Sequence, residues 1–206
     1  MKRFIFWCAA AFLPVLAACH VNLIPPTEFT ETRVFDLATP APLTGLPFTV
    51  EVDIFSNECS GRFKMVFREK GNQIEVDEYN RWSMTPGSML TKYLAARFAS
   101  PPATVSIDDT DKPVFLLDGT VLTCELNKEE MQVDLMIHYF ITKPGNEAFR
   151  ITGTEQYLVP VGESTAEAFA AGMTSAAAKF ADQVVGILSD ELKNNAAGTK
   201  DAEQKK

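Results

Sequence analysis

The residues best equipped for chemistry are four cysteines and two histidines. Cys59 and Cys124 stand 65 positions apart and belong to no Cys-x-x-Cys pair. With only His20 and His138 to add, they do not make a zinc site or a thioredoxin-like redox motif. Two readings of Cys59 and Cys124 remain, a structural disulfide or two buried unpaired thiols. Asp108, Asp109 and Asp111 form a short acidic run that suits a solvated turn before a strand better than a cation site. His138 alternates out of the apolar face of its segment, as a solvated or hydrogen-bonded imidazole does. There is no nucleophile set beside a base, and no pair of carboxylates in a recognisable setting. The expectation is therefore no enzymatic activity, no catalytic residue, no metal and no cofactor.

Cys19 has a different neighbourhood. Lys2 and Arg3 precede an apolar run from Phe4 to Ala18, and Leu16-Ala17-Ala18 leads directly into the cysteine. The run is shorter than the roughly 20 residues a bilayer-spanning helix needs, and a charged start with small residues at the cut marks an export signal. This arrangement resembles a bacterial lipobox, whose cysteine thiol is diacylated before the preceding peptide is removed. The resemblance implies a signal peptide at residues 1–18, which takes Cys8 with it, and a mature chain beginning at Cys19. Diacylglycerol and an N-linked acyl chain such as palmitate would be its covalent groups. Two or more chains anchor a protein stably where one holds it marginally. Residues 19–32, with Pro25-Pro26 and little periodicity, read as a lipidated tether.

Loss of Lys2 and Arg3 moves the formal charge from -8 to -10. Such a surface has no basic stripe for phosphates, so nucleic acid is not an expected partner. An anionic bilayer would repel it, leaving the acyl chains to hold it at the membrane. The 188 residues after the signal suffice for one domain, placed at residues 33–193, with a disordered tail at 194–206.

The elements that would position these residues follow from periodicity. Arg33 to Leu37 is a short strand. Phe48, Val50, Val52 and Ile54 alternate onto one face of the next. Phe63–Phe67 and Gln73–Tyr79, separated by Lys70-Gly71-Asn72, read as a hairpin. Thr85-Pro86 signals a helix start, and the helix runs to Phe98, before Pro101-Pro102. Val114–Leu126, Met131–Thr142 and Phe149–Val159 form an antiparallel meander. Ser164-Thr165-Ala166-Glu167 has a capping-box pattern and opens a helix to about Leu192. Its stripe of Phe169, Met173, Phe180, Val184, Leu188 and Leu192 reads as core, with a partner-subunit surface the alternative. The fold class is α+β, a single domain with a mostly antiparallel sheet and two main helices on it.

One stretch narrows the function. Glu78-Tyr79-Asn80-Arg81-Trp82-Ser83, continuing through Met84-Thr85-Pro86 into the helix ending Leu94-Ala95-Ala96-Arg97-Phe98, resembles the central signature of the ABC-type transport auxiliary lipoprotein family. The sequence departs from that pattern at Ser83-Met84-Thr85-Pro86, where the family has a small acidic turn, and in its Cys59/Cys124 pair. The resemblance implies a periplasmic lipoprotein of an MCE-type transport system, moving phospholipid or other apolar molecules between two membranes. Its partners would be the membrane, through the lipid anchor, and an MCE-domain protein, with homo-oligomer formation left open. An aspartate after the lipidated cysteine would favour inner-membrane retention, and His20 stands there, so the expected place is the periplasmic face of the outer membrane. Arg81 and Trp82 are candidate partner contacts, weighed against an Arg81 ion pair with Glu78 or Asp77 and a core role for Trp82. The alternative function is a stand-alone lipid or lipoprotein carrier, which needs an apolar cavity between sheet and helices.

Overall fold

Strict alternation over residues 131–142 requires one face of that strand to be buried, and it sits one strand in from the end of the sheet. The computed structural model describes residues 30–99 and 112–203, with side chains through Asn194. Residues 1–18, Cys19, His20, most of the tether and Asp108, Asp109 and Asp111 lie outside the described residues. The strands are β1 (Arg33–Phe35), β2 (Thr49–Asn57), β3 (Lys64–Arg68), β4 (Ile74–Trp82), β5 (Val114–Asn127), β6 (Gln132–Lys143) and β7 (Asn146–Pro160). Helix α1 (Pro86–Phe98) follows β4, and helix α2 (Ala166–Glu203) follows β7.

The strands form one sheet in the order β1-β4-β3-β5-β6-β7, with β2 also on β5. The β3–β4 hairpin and the β5–β6–β7 meander are antiparallel, as their short turns dictate. The pairs β1–β4, β2–β5 and β3–β5 are parallel, so the sheet is mixed although largely antiparallel. The architecture is α+β, with both helices contributing to one apolar cluster.

Local chemistry accounts for α1. Thr85 is the N-cap, its Oγ1 accepting the Ser88 N–H at 3.3 Å, and Pro86 occupies the first turn. A Cβ at Gly87 would stand 2.5 Å from the Phe55 carbonyl oxygen, so only glycine lets the helix lie this close to the edge of β2. The Phe55 N–H donates to Thr91 Oγ1 at 2.8 Å. Helix α1 thus covers an edge that would otherwise stay open.

Strand β2 departs from its predicted alternation. The register against β5 shifts between Val52 and Phe55, and the extra residue turns Ile54 out to 75% exposure while Phe55 is buried. The Asp53 carboxylate accepts the Ile54 N–H at 2.7 Å, which stabilises the bulge. Phe55 then lies opposite Gly119, where an added Cβ would approach its ring to 2.8 Å.

Helix α2 also differs from expectation at both ends. Thr165 is the residue that caps it, its Oγ1 accepting the Ala168 N–H at 3.2 Å. Glu167 does not close a capping box with Ser164 but pairs with Arg33 at 2.6 Å. The helix continues to Glu203, through residues read as a disordered tail from 194, because extending a formed helix costs little where no proline intervenes. Its stripe is core: Phe169, Met173, Phe180, Val184 and Leu188 are buried, with Ala176, Ala177 and Ala181 between them. Phe180 meets Phe55, Tyr139 and Tyr157 at ring separations of 6.0, 5.5 and 6.1 Å. Phe180→Ala should therefore cost about 3–5 kcal/mol by emptying this aromatic cluster. Chemical denaturation measures it, and an unchanged midpoint would refute the core role.

Candidate partner surface around Arg81

Strand alternation places Arg81 and Trp82 on opposite faces of β4. Trp82 is 2% exposed and packs edge-on against Phe169 of α2 at 5.0 Å, so its ring is not available to a partner. Of the candidate pair only Arg81 remains exposed. Its cross-strand neighbours are Val34 on β1 and Lys64 on β3. The expected ion pairs of Arg81 do not form. Glu78 is bound by Lys64 at 2.8 Å, and among the described residues Arg81 has no ion-pair partner.

Asp77 is taken up by the backbone. Its Oδ1 accepts the N–H groups of Tyr79 and Asn80 at 2.8 and 2.9 Å, and its Oδ2 accepts Asn80 Nδ2 at 2.6 Å. Burial opposes the charge on Asp77, but these hydrogen bonds outweigh it and hold the carboxyl below its ordinary value. They also close a protrusion, since Val66 pairs with Val76 while Lys64, two residues earlier, pairs with Arg81, five residues later. Tyr79 on this protrusion is half exposed, as is Phe63, whose carbonyl accepts the Trp82 N–H at 2.6 Å. Val34 is thus directly across from Arg81, Phe63 adjoins its other cross-strand neighbour Lys64, and Tyr79 stands two residues before it. Sequence reading missed the protrusion, whose signal is the Asp77-x-x-Asn80 spacing of a local side-chain turn inside a strand.

The sheet face turned away from the helices carries His138, Glu125 and Asp134. His138 Nδ1 lies 2.7 Å from Thr154 Oγ1, and its ring meets Phe140 edge-on. Arg68 clamps Glu125 with two nitrogens, Nη2 to Oε2 at 2.8 Å. Asp134 stands directly across from Glu125. One of its oxygens accepts Gln156 Nε2 at 2.9 Å and the other is buried without a partner. Burial, and then the Glu125 charge, push the Asp134 carboxyl above its ordinary value. Cys59 and Cys124 are buried free thiols that line one cleft. Among the described residues no group of three metal-ligating side chains assembles, and no helix is long and apolar enough to cross a membrane.

Residues 61–185, from the loop before β3 to well inside α2, match the family model described as the ABC-type transport auxiliary lipoprotein component. The chain belongs to this family. The match spans Arg81, Trp82 and Cys124 but neither β1 nor β2. Two crystal structures share the auxiliary-component fold. One is of an uncharacterized protein, with a TM-score of 0.57 at 11% identity, over 77% of this chain and 99% of that one. The other is of a Xanthomonas campestris protein described by the DUF330 family model, with a TM-score of 0.57 at 11% identity, over 79% of this chain and 99% of that one. No curated protein is detectably similar to the chain.

Asp134 supplies a prediction with a definite sign. Because its folded-state pKa is raised, its ionised form costs stability at neutral pH, and that cost disappears as pH falls through the folded value towards the ordinary 3.8. Asp134→Asn keeps the bond to Gln156 and should raise the neutral-pH melting temperature by a few degrees. The advantage should shrink in acid, and a gain independent of pH would show that charge is not its source.

Proposed function

We propose that this auxiliary component is a lipid-anchored protein on the periplasmic face of the outer membrane that docks the MCE-domain partner of an ABC-type intermembrane transport system. The observation that carries the reading is the family match over residues 61–185. The geometry supports docking by what it leaves outside. Phe55, Phe115, Phe169 and Phe180 are fully buried and fill the space between sheet and helices, where a carrier would need room for acyl chains. Val34, Phe63 and Tyr79 are exposed beside an unpaired Arg81. Aromatic rings and arginine are the side chains most often found as binding anchors.

In this reading the thiol of Cys19 carries diacylglycerol and the new N-terminus a further acyl chain, so that the membrane is engaged by lipid and the partner by protein. The transported molecule would be a phospholipid or another apolar solute, handled mainly by the partner. Crosslinking the acylated protein in cells, followed by affinity purification and mass spectrometry, tests this directly. Recovery of an MCE-domain protein is expected, whereas recovery of lipid without any protein partner would favour a carrier.

Two variants separate the halves of the reading. Cys19→Ala should move the protein from the membrane fraction to the soluble periplasmic fraction with its unfolding midpoint unchanged, and continued membrane association would refute the anchor. Arg81→Glu should reduce partner capture several-fold while stability changes by no more than about 0.5 kcal/mol, the usual range for a surface substitution. Undiminished capture would move the docking site elsewhere.

A further inference from the structure

Strands β2 and β3 lie end to end along one edge of β5. Asn57 pairs with Val121 and Phe67 with Leu126, so ten steps along the one chain span five along the other. The surplus loops out between Glu58, whose N–H donates to the Val121 carbonyl at 2.9 Å, and Phe63. Cys59 is in this loop. Opposite the break, β5 has its own irregularity, a register shift between Val121 and Thr123. Counted by twos from the buried Val121, the inward residue would be Thr123 and Cys124 would face solvent. The bulge reverses this, and Cys124 turns inward opposite Leu135. Loop and bulge together bring both cysteines to one cleft.

Each cysteine is also held from behind. Asn57 Oδ1 accepts the Cys59 thiol at 3.2 Å, and Asn57 Nδ2 donates to the Cys59 carbonyl at 3.3 Å. Cys124 Sγ lies 3.8 Å from Met173 Sδ on α2. Both cysteines line a cleft of about 100 Å³, shared with Ser60, Arg68, Ile74 and Glu125. Cys59 is 9% exposed there and Cys124 3%.

We propose that Cys59 and Cys124 are a modification site, joined into an intramolecular disulfide by a dithiol-disulfide oxidant, with Cys59 the thiol that attacks first. The Cys59 thiolate attacks one sulfur of the oxidant's disulfide, forming a mixed disulfide and releasing the oxidant's other sulfur as a thiolate. Cys124 gives its proton to solvent and attacks Cys59 Sγ, expelling the oxidant's second thiolate. Two protein S–H bonds are lost and one S–S bond forms, and the two electrons leave in the oxidant's dithiol. The order of attack follows from environment. Cys59 is the more exposed of the two, and the interaction between the thiols, together with burial, pushes Cys124 well above its ordinary value. The product would tie β5 to the loop whose Phe63 carbonyl holds the Trp82 N–H. This inference stands apart from the docking reading, since it concerns only the chain's own thiols.

The test uses the purified full chain and glutathione disulfide as oxidant. After acid quenching, denaturation and alkylation, digestion should yield a peptide containing Cys59 joined to one containing Cys124, with the summed mass less two hydrogen atoms and separated by reductant. In the reduced native protein, alkylation should be faster at Cys59 than at Cys124. Recovery of both cysteines alkylated after oxidant treatment, or of Cys59 bound only to glutathione or to another molecule of the chain, would overturn the proposal. After the same treatment, Cys124→Ser should yield Cys59 as a mixed disulfide with glutathione and Cys59→Ser should leave Cys124 open to alkylation in the denatured protein, which assigns the linkage without depending on the stability of either variant.

Discussion

Strand β5 has two edges and three partners, and this one constraint organises the molecule. Its antiparallel edge is filled by β6 over almost its whole length. Its other edge is shared by β2 and β3, both parallel to it, and the chain must leave the sheet between them. A parallel neighbour cannot be reached by a tight turn. The chain therefore travels through β4 and α1 before it returns to β5, and α1 uses that passage to cover the outer edge of β2. The Cys59 loop, the bulge before Cys124 and the attachment of Phe63 to Trp82 all follow from the same break.

The two faces of the sheet meet different physical demands. Towards the helices, Phe180 is central to an aromatic cluster, and alanines along α2 let the helix approach closely. Away from them the sheet carries charged residues, which must be paired or solvated. Glu125 is nearly buried and meets this demand through the two-nitrogen clamp of Arg68. Asp134 meets it only in part, with one oxygen bonded and one not. The chain belongs to a family described as a transport auxiliary lipoprotein component.

At the β4 end, burial and exposure alternate residue by residue. Trp82 closes the core, and the same strand turns Arg81 outward between Val34 and Lys64. Because Lys64 takes Glu78 and the backbone takes Asp77, the guanidinium has no ion-pair partner among the described residues. The arginine and tryptophan of the signature thus part ways, one exposed to solvent and one in the core.

Much of this was legible in the sequence. Period-two alternation located the strands, Lys70-Gly71-Asn72 the hairpin turn, Thr85-Pro86 the start of α1, and the apolar stripe the buried face of α2. These are local properties, set by backbone sterics and side-chain spacing within a few residues. Tertiary structure alone decided the exposure of Ile54, the inward turn of Cys124, the diversion of Glu167 to Arg33 and the freeing of Arg81. Each depends on a partner strand or on a competing ion pair distant in sequence. A one-residue bulge reverses every side chain beyond it, and it exists only relative to the ladder it interrupts, so no reading of β2 or β5 alone could place it.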